Sequence, residues 1–388
     1  MSTEVQPNRR RRPELFRRIN IRAYSMVIAL LAIWAIFAIL TNGTYLIPRN
    51  ISNLARQMAV VCYLAMGMVL VIVSGNIDLS VGSLLGMLGG FAAITQVYWQ
   101  WPTLPTIAAT LLLGAGVGLF EGLLIAYLRI PAFIVTLGGF MAYRGILLGL
   151  TGGRTISPMF SDFKVIGQAY LAKDVGLILA VVVLALFAVL QFNKRRSRRL
   201  FQLHVESPLQ TILRIVLFGI GVLGFTLLMN AYLGIPIPVI IMVGLLVIFT
   251  FISSRTTFGR NIYAIGGNLE AARYSGVNIR FTVLFVFMIS ALLSSVAGLV
   301  LTARLDAGTI AAGTGMELDA IAAAVIGGAS LAGGIGTVPG AILGALIMAS
   351  LDNGMSMLNT EAFWQYIVKG AMLVFAVWID VYTNKKRD

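Results

Sequence analysis

The chain repeats one pattern that few folds can satisfy: run after run of predominantly apolar residues, each near twenty long, joined by short polar connections. At about 1.5 Å per residue, a helix of about 20 residues spans the ~30 Å hydrocarbon core of a bilayer. Such runs fall at 23–40, 57–74, 82–98, 104–128, 132–150, 174–192, 212–232, 236–253, 281–301, 338–358 and 363–380. With no water in the bilayer core, the backbone must satisfy its own polar groups, so each run is read as a helix and the fold class as an all-α polytopic membrane protein. Composition agrees. The chain is 59% hydrophobic and 11% charged, against about 25% charged in a soluble domain. Soluble cores stop growing at roughly 250–300 residues, so 388 residues of this composition call for a second apolar solvent.

A further apolar stretch, 319–333, is too short and too Gly-rich for a simple span. It reads as a broken or re-entrant helix, tolerated only where protein buries it or where it lines a cavity. Counting it gives about 12 transmembrane segments, with both termini on one side. Charge sets that side, because Lys and Arg concentrate in cytoplasmic loops. The basic groups are Arg9, Arg10, Arg11, Arg12, Arg17, Arg18 and Arg22; Lys194, Arg195, Arg196, Arg198 and Arg199; Arg255, Arg260, Arg273 and Arg280; and Lys385, Lys386 and Arg387. The run order puts all four groups on one face, so both termini are expected to be cytoplasmic. Residues 1–22 form a basic cytoplasmic segment. The apolar run after it is long and lacks a small-residue cleavage site, so it reads as a retained span. Residues 23–388 form one membrane domain.

The net charge of +14 suggests nucleic acid at first sight. That reading needs a solvated basic face, whereas here the charges sit in clusters between apolar runs, where they orient a membrane protein. The single Cys62 has no disulfide partner. His204 lies beside a basic cluster with no ligand partner nearby and reads as a solvated loop residue. No GxxxxGKS or GxxxxGKT loop, metal-ligand cluster or nucleophile arrangement occurs, so neither cofactor, metal nor catalysis is expected in this chain.

Ionisable groups at membrane depth are costly and usually face a cavity or a partner. The candidates are Asp78, Glu121, Arg144, Asp319, Asp352 and Lys369, with Asp380 and Arg304 near span ends. The polar stretch Ser74 to Ser83 breaks two apolar runs. Asn76 or Asp78 is placed to accept the first free N–H groups of the following helix. The same break is placed to line a translocation path through Asn76, Asp78, Ser80 and Ser83, and both readings can hold together. Asp352-Asn353-Gly354 interrupts the run 338–358. A helix end with Gly354 as a left-handed cap is the favoured reading there, with Asn353 in a polar pore lining as the second. Asp319 opens a Gly-rich stretch through Gly334, as Asp78 does through Gly90, which hints at duplication. Glu121 sits among Gly114, Gly118 and Gly122, a small-residue stripe suited to close helix packing, and needs a partner that the sequence does not name. Trp99, Trp101, Trp364 and Trp378 fall near span ends, as interfacial anchors do.

Between two spans, 254–280 carries a different signal. Asn268 is a good N-cap, Glu270 lies in the first turn and Gly276 is a good stop, which predicts a short helix of about two turns.

Glu270-Ala271-Ala272, followed by Arg273 and then Gly276, resembles the EAA-x-x-x-G coupling motif of bacterial ABC importer permeases. Ser74–Ser83, Gly259–Asn268, Gly313–Gly336 and Gln365–Lys369 resemble the branch that serves ribose, xylose, arabinose and galactose. The resemblance covers the chain from about residue 50 onward. An insertion at 157–233 with two extra spans, and the wording Leu351–Met357 and Phe363–Tyr366, resemble the members that carry D-xylose. Asp352 departs from the Asn expected in ribose-type members, and the apolar-x-Leu-Pro ending of the coupling motif is absent.

The resemblance implies a homodimer of permeases in the bacterial inner membrane, together with membrane lipid. It implies a cytoplasmic ATPase subunit with two nucleotide domains, docked on the coupling helix at Glu270, Ala271, Ala272, Arg273 and Gly276. It also implies a periplasmic sugar-binding protein that holds most of the specificity. Carriage of another sugar of the branch, or ion-coupled secondary transport through Asp78, Glu121 and Asp319, are the alternatives. The basic loop Lys194–Arg199 is expected to set topology or hold anionic lipid.

Overall fold

The computed structural model describes residues 21–203 and 207–384. The N-terminal basic cluster Arg9–Arg18, His204 and the terminal Lys385, Lys386 and Arg387 lie outside the described residues. Among those described there are fifteen α-helices and no β-strand. They are α1 (Ile21–Leu40), α2 (Pro48–Val73), α3 (Val81–Val97), α4 (Thr103–Ala126), α5 (Ala132–Thr151), α6 (Ser161–Gln168), α7 (Lys173–Leu200), α8 (Pro208–Asn230), α9 (Ile237–Arg255), α10 (Thr257–Gly267), α11 (Leu269–Tyr274), α12 (Ile279–Leu305), α13 (Met316–Ile326), α14 (Val338–Met357) and α15 (Ala362–Asn384). Eight are long and apolar enough to cross a membrane: α2, α4, α5, α7, α8, α9, α12 and α14. Shorter apolar helices occur within α1, α3 and α15.

Two helices form the axis of the molecule. In α2, 83% of the most apolar window is buried inside the protein, and in α12 67%, against 11% in α7. α12 packs on α2, α3 and α4, and α2 also packs on α13 and α14. Small residues permit this closeness. A Cβ on Gly118 would lie 2.7 Å from the Met288 Cα, and one on Gly122 2.7 Å from the Leu284 carbonyl oxygen. The stripe on α4 therefore seats α12 directly. By contrast α7 and α8, within 157–233, pack mainly on each other, stack Phe187 on Phe218 and expose most of their apolar surface.

α2 begins nine residues before the apolar run that announces it. Pro48 stands at its N-terminal position, and Asn50, Ser52, Asn53, Arg56 and Gln57 make its first turns too polar to read as a span. These polar residues are held inside the protein. Asn50 donates to the Tyr45 carbonyl (2.8 Å) and to Asn353 Oδ1 (2.9 Å), and the Arg56 guanidinium lies over the Tyr170 ring.

The stretch 319–333 resolves into α13, only eleven residues long, and a non-helical Gly-rich loop, 327–337. Eleven residues rise about 16 Å, roughly half the hydrocarbon thickness. The expected cap at Gly354 is corrected: α14 continues to Met357, and Gly354 is buried inside it. A Cβ there would lie 2.4 Å from the Phe37 ring, so the glycine serves helix packing rather than termination.

Candidate functional site

Two short helices start inside the protein and meet at their N-terminal ends. Segment 74–80 leaves α2, turns back into the core and starts α3 at Val81. Segment 306–315 leaves α12, also turns inward and starts α13 at Met316. A Cβ on Gly82 would lie 2.6 Å from the Gly313 carbonyl oxygen and 2.1 Å from Glu317 Oε2, and one on Gly86 2.6 Å from the Ala312 carbonyl. Backbone therefore touches backbone, which only glycine allows. Broken helices of this kind are where transporter folds place their sites. Arg144 of α5 fixes the second break. Its guanidinium donates to the carbonyls of Ile310 (2.8 Å) and Ala312 (3.1 Å) and to the Thr314 hydroxyl.

The first break holds a buried polar chain. Asp78 Oδ1 accepts from the Ser80 amide (2.9 Å) and the Ser80 hydroxyl (2.6 Å), and Asp78 Oδ2 accepts from the Ser290 hydroxyl (2.9 Å). Ser290 is eleven residues into α12, about 16 Å along it. The expected capping is corrected: no side chain caps α3, and Asp78 instead accepts from Ser80, the residue before the first helical one. Asn76 instead donates to the Ser74 hydroxyl (3.0 Å). Glu121 Oε1 accepts from the Tyr143 hydroxyl (2.8 Å), and Glu121 Oε2 lies 3.5 Å from Ser80 Oγ. Asp78, Ser80, Glu121 and Ser290 are all at least 99% buried.

Ser80 has a single hydroxyl hydrogen, and the short contact directs it to Asp78. The long contact with Glu121 then has a hydrogen only if the Glu121 carboxyl supplies it. Glu121→Gln, whose amide also donates, is expected to keep stability within about 1 kcal/mol. Glu121→Ala, which strands the Tyr143 hydroxyl, costs about 1–3 kcal/mol. Thermal unfolding of the two variants in detergent checks the difference.

A charged cluster closes the second helix. Lys369 of α15 donates to Asp319 Oδ2 (2.9 Å) and pairs with Asp352 Oδ2 (2.8 Å). The second oxygens, Asp319 Oδ1 and Asp352 Oδ1, are buried without a hydrogen-bond partner. Glu317 and Asp319 both lie in the first turn of α13, where the helix dipole favours negative charge.

The candidate path residues therefore fall in three places. Asp78 and Ser80 join at the first break, with Ser83 buried one turn into α3. Asp319 belongs to the Lys369 cluster. Asn353 pairs with Asn50 and stands 3.5 Å from Gln57, between α14 and α2. Tyr143 and Ser290 are missed by sequence reasoning. Both reach their partners across helices, and no spacing announces them.

The 254–280 segment forms α10 and α11. Asn268 Oδ1 accepts from the Ala271 amide (2.9 Å), Glu270 lies in the first turn and Gly276 follows the helix at φ 78°. α11 has six residues, slightly under the two turns expected. Glu270 and Arg273 pair at 3.2 Å on the exposed side, and Ala272 faces inward. α10 holds the end of α2, where the first break begins, and the loop after α13. The Gly334 amide donates to the Val73 carbonyl (2.9 Å), and the Tyr263 hydroxyl donates to the Gly336 carbonyl (2.8 Å). A Cβ on Gly266 would lie 1.7 Å from that same Val73 oxygen. The end of α2, the loop after α13 and α10, which leads directly into α11, thus share one junction.

Broken helices around buried carboxylates, tied to an exposed capped helix, define a transport permease. Residues 50–377 match the family model described as the branched-chain amino acid transport system / permease component, and the chain belongs to that family, as a multi-pass permease of the inner membrane. It is 51% identical to the Xylose transport system permease protein XylH of Haemophilus influenzae, over 95% of this chain and 98% of the relative. It is 50% identical to XylH of Escherichia coli K12, over 95% and 94% respectively. The Ribose import permease protein RbsC of Escherichia coli K12 is 34% identical over the whole of both chains. No solved structure matches the chain.

Proposed function

We propose that the protein is the membrane-spanning subunit of an ATP-driven importer that carries D-xylose from periplasm to cytoplasm. Identity near one half to two xylose permeases over nearly the whole chain, against 34% to a ribose permease, supports the sugar. The observation that carries the mechanism is the shared junction of α10, Val73 and the Gly327–Gly336 loop. α11 stands exposed beside it, where an ATPase subunit can grip it. A displacement of α11 reaches the start of α3 through Val73 and the end of α13 through Gly334.

In this reading α11 lies on the cytoplasmic face, both chain ends lie on that face, and about 12 crossings are made with α3 and α13 as half-crossings. Two copies form the pore, and a periplasmic binding protein delivers the sugar to the opposite face. The path runs past Asn76, Asp78, Ser80 and Ser83 and past Asp319, with Asn353 holding α14 to α2. Residues 157–233 add the α7–α8 hairpin at the lipid side. The hydroxyl and carboxyl groups at the breaks suit a polyol, and no deep binding constellation is needed where a separate protein selects the sugar.

Uptake of labelled D-xylose by cells lacking the gene, with and without its return, tests the reading. Restored uptake competed by xylose over ribose, arabinose and galactose is expected. Restoration competed better by another sugar moves the substrate, and none at all, with the partners present, overturns it. A Glu270→Lys, Gly276→Trp double variant is expected to insert normally and to lose at least tenfold in uptake. Gly276 takes a left-handed conformation, in which a bulky side chain is strained, and the charge reversal breaks the pair with Arg273. Normal uptake in that variant would remove α11 from the coupling role.

A further inference from the structure

A cavity of about 860 Å³ opens beside α11, between the ends of α2 and α4 and the start of α12. Its volume is in the ~300–1,000 Å³ range of small-ligand sites. Three arginines line it, Arg129, Arg273 and Arg280, with Asn76, Asn268 and Asn278, and no Asp, Glu or Lys contributes to its wall. Arg273 is committed to Glu270. Arg280 lies over the Tyr127 ring at 5.7 Å, a contact that leaves its donors open. Arg129 lies midway along the connection 127–131 from α4 to α5 in a left-handed conformation, φ 58°, and among the described residues no carboxylate pairs with it. Arg129 and Arg280 therefore line one concave space, and among the described residues neither is paired with a carboxylate.

We propose that this cavity binds a phosphate group, held by Arg129 and Arg280. Guanidinium forks match phosphate oxygens bidentately, and the absent acidic residues leave nothing to repel a dianion. A sugar without charge would not need two arginines, so the cavity is a phosphate site beside the sugar path, which it meets at Asn76. It is placed to regulate that path, because Asn76 and Asn268 share the same wall: a ligand there wedges between α11 and the loop that starts α3. The phosphate can belong to a soluble ester, such as a sugar phosphate, or to an anionic lipid head group of the adjacent leaflet.

The experiment uses the full chain in nanodiscs and reads the unfolding midpoint. One arm adds inorganic phosphate, a pentose 5-phosphate or free D-xylose to discs of zwitterionic lipid. The other replaces part of the lipid with phosphatidylglycerol. A midpoint raised by several degrees by either phosphate source, and unchanged in Arg129→Gln/Arg280→Gln, is the expected result. The arm that responds identifies the source. Arg129→Gln alone, which keeps the Arg280–Tyr127 stack, gives the same readout should the double variant unfold early. No rise in either arm, a rise of equal size in the variants, or an equal rise with free xylose would overturn the proposal.

Discussion

Lys369→Met is expected to be among the most damaging single substitutions in the protein. The ammonium answers two carboxylates at once, at 2.9 and 2.8 Å, and the Asp319 side chain is only 5% exposed. Each carboxylate keeps one buried oxygen with no other partner, so the lysine is their main compensation. Removing one member of a buried ion pair costs about 3–5 kcal/mol, because the remaining charge stays buried. Here two remain, on α13 and α14, facing each other. The expected result is a large fall in the unfolding midpoint and in the amount of inserted protein. The triple variant Lys369→Met, Asp319→Asn, Asp352→Asn removes all three charges and is expected to recover most of that stability. If it recovers none, the lysine acts through packing rather than charge. If the triple variant regains stability but not uptake, the cluster belongs to the path as well as to the fold.

Gly313→Val is expected to prevent assembly of the broken-helix pair. Gly313 has φ 76°, and a Cβ built on it would lie 1.9 Å from the Gly82 carbonyl oxygen. A left-handed conformation costs an ordinary residue roughly 1–2 kcal/mol, and overpacking a filled site typically another 1–3 kcal/mol. The obstruction here is backbone, which cannot swing aside like a side chain. Gly116→Val, on α4 where a Cβ would meet nothing within 4 Å, is the control that separates this clash from a general intolerance of valine. Comparable expression and unfolding of the two variants would show that α3 and α13 can separate without harm.

How much of this was legible in the sequence depended on whether a feature was local. The spans of α4 and α12 read directly from their apolar runs, whereas α7 continues as helix through the basic residues Lys194–Arg199 that read as a loop. The capped helix α11 read directly too, because Asn268, Glu270 and Gly276 act within one short stretch. α2 was foreshortened, because its first turns are polar and are satisfied by Tyr45 and Asn353, the latter about 300 residues away. Gly354 reads as a stop because a glycine facing a distant ring looks the same in sequence as one that ends a helix. The ionisable residues at depth could be named from their cost, but not their partners. Tyr143 for Glu121, Ser290 for Asp78 and Lys369 for both Asp319 and Asp352 are set by how helices cross, which pattern does not encode.

The burial of α2 has a consequence for how the chain is made. At roughly 5–20 residues per second of synthesis, α12 leaves the ribosome some 10–40 s after α2, yet in the finished protein the two lie side by side. During that interval the face of α2 that α12 will cover lacks its final partner, although α8 and α9, which also pack on α2, are already made. Asp78 must wait as well, since Ser290 has not yet been synthesised. The permease is therefore made with its first break, residues 74–80, lacking one of its partners until α12 follows.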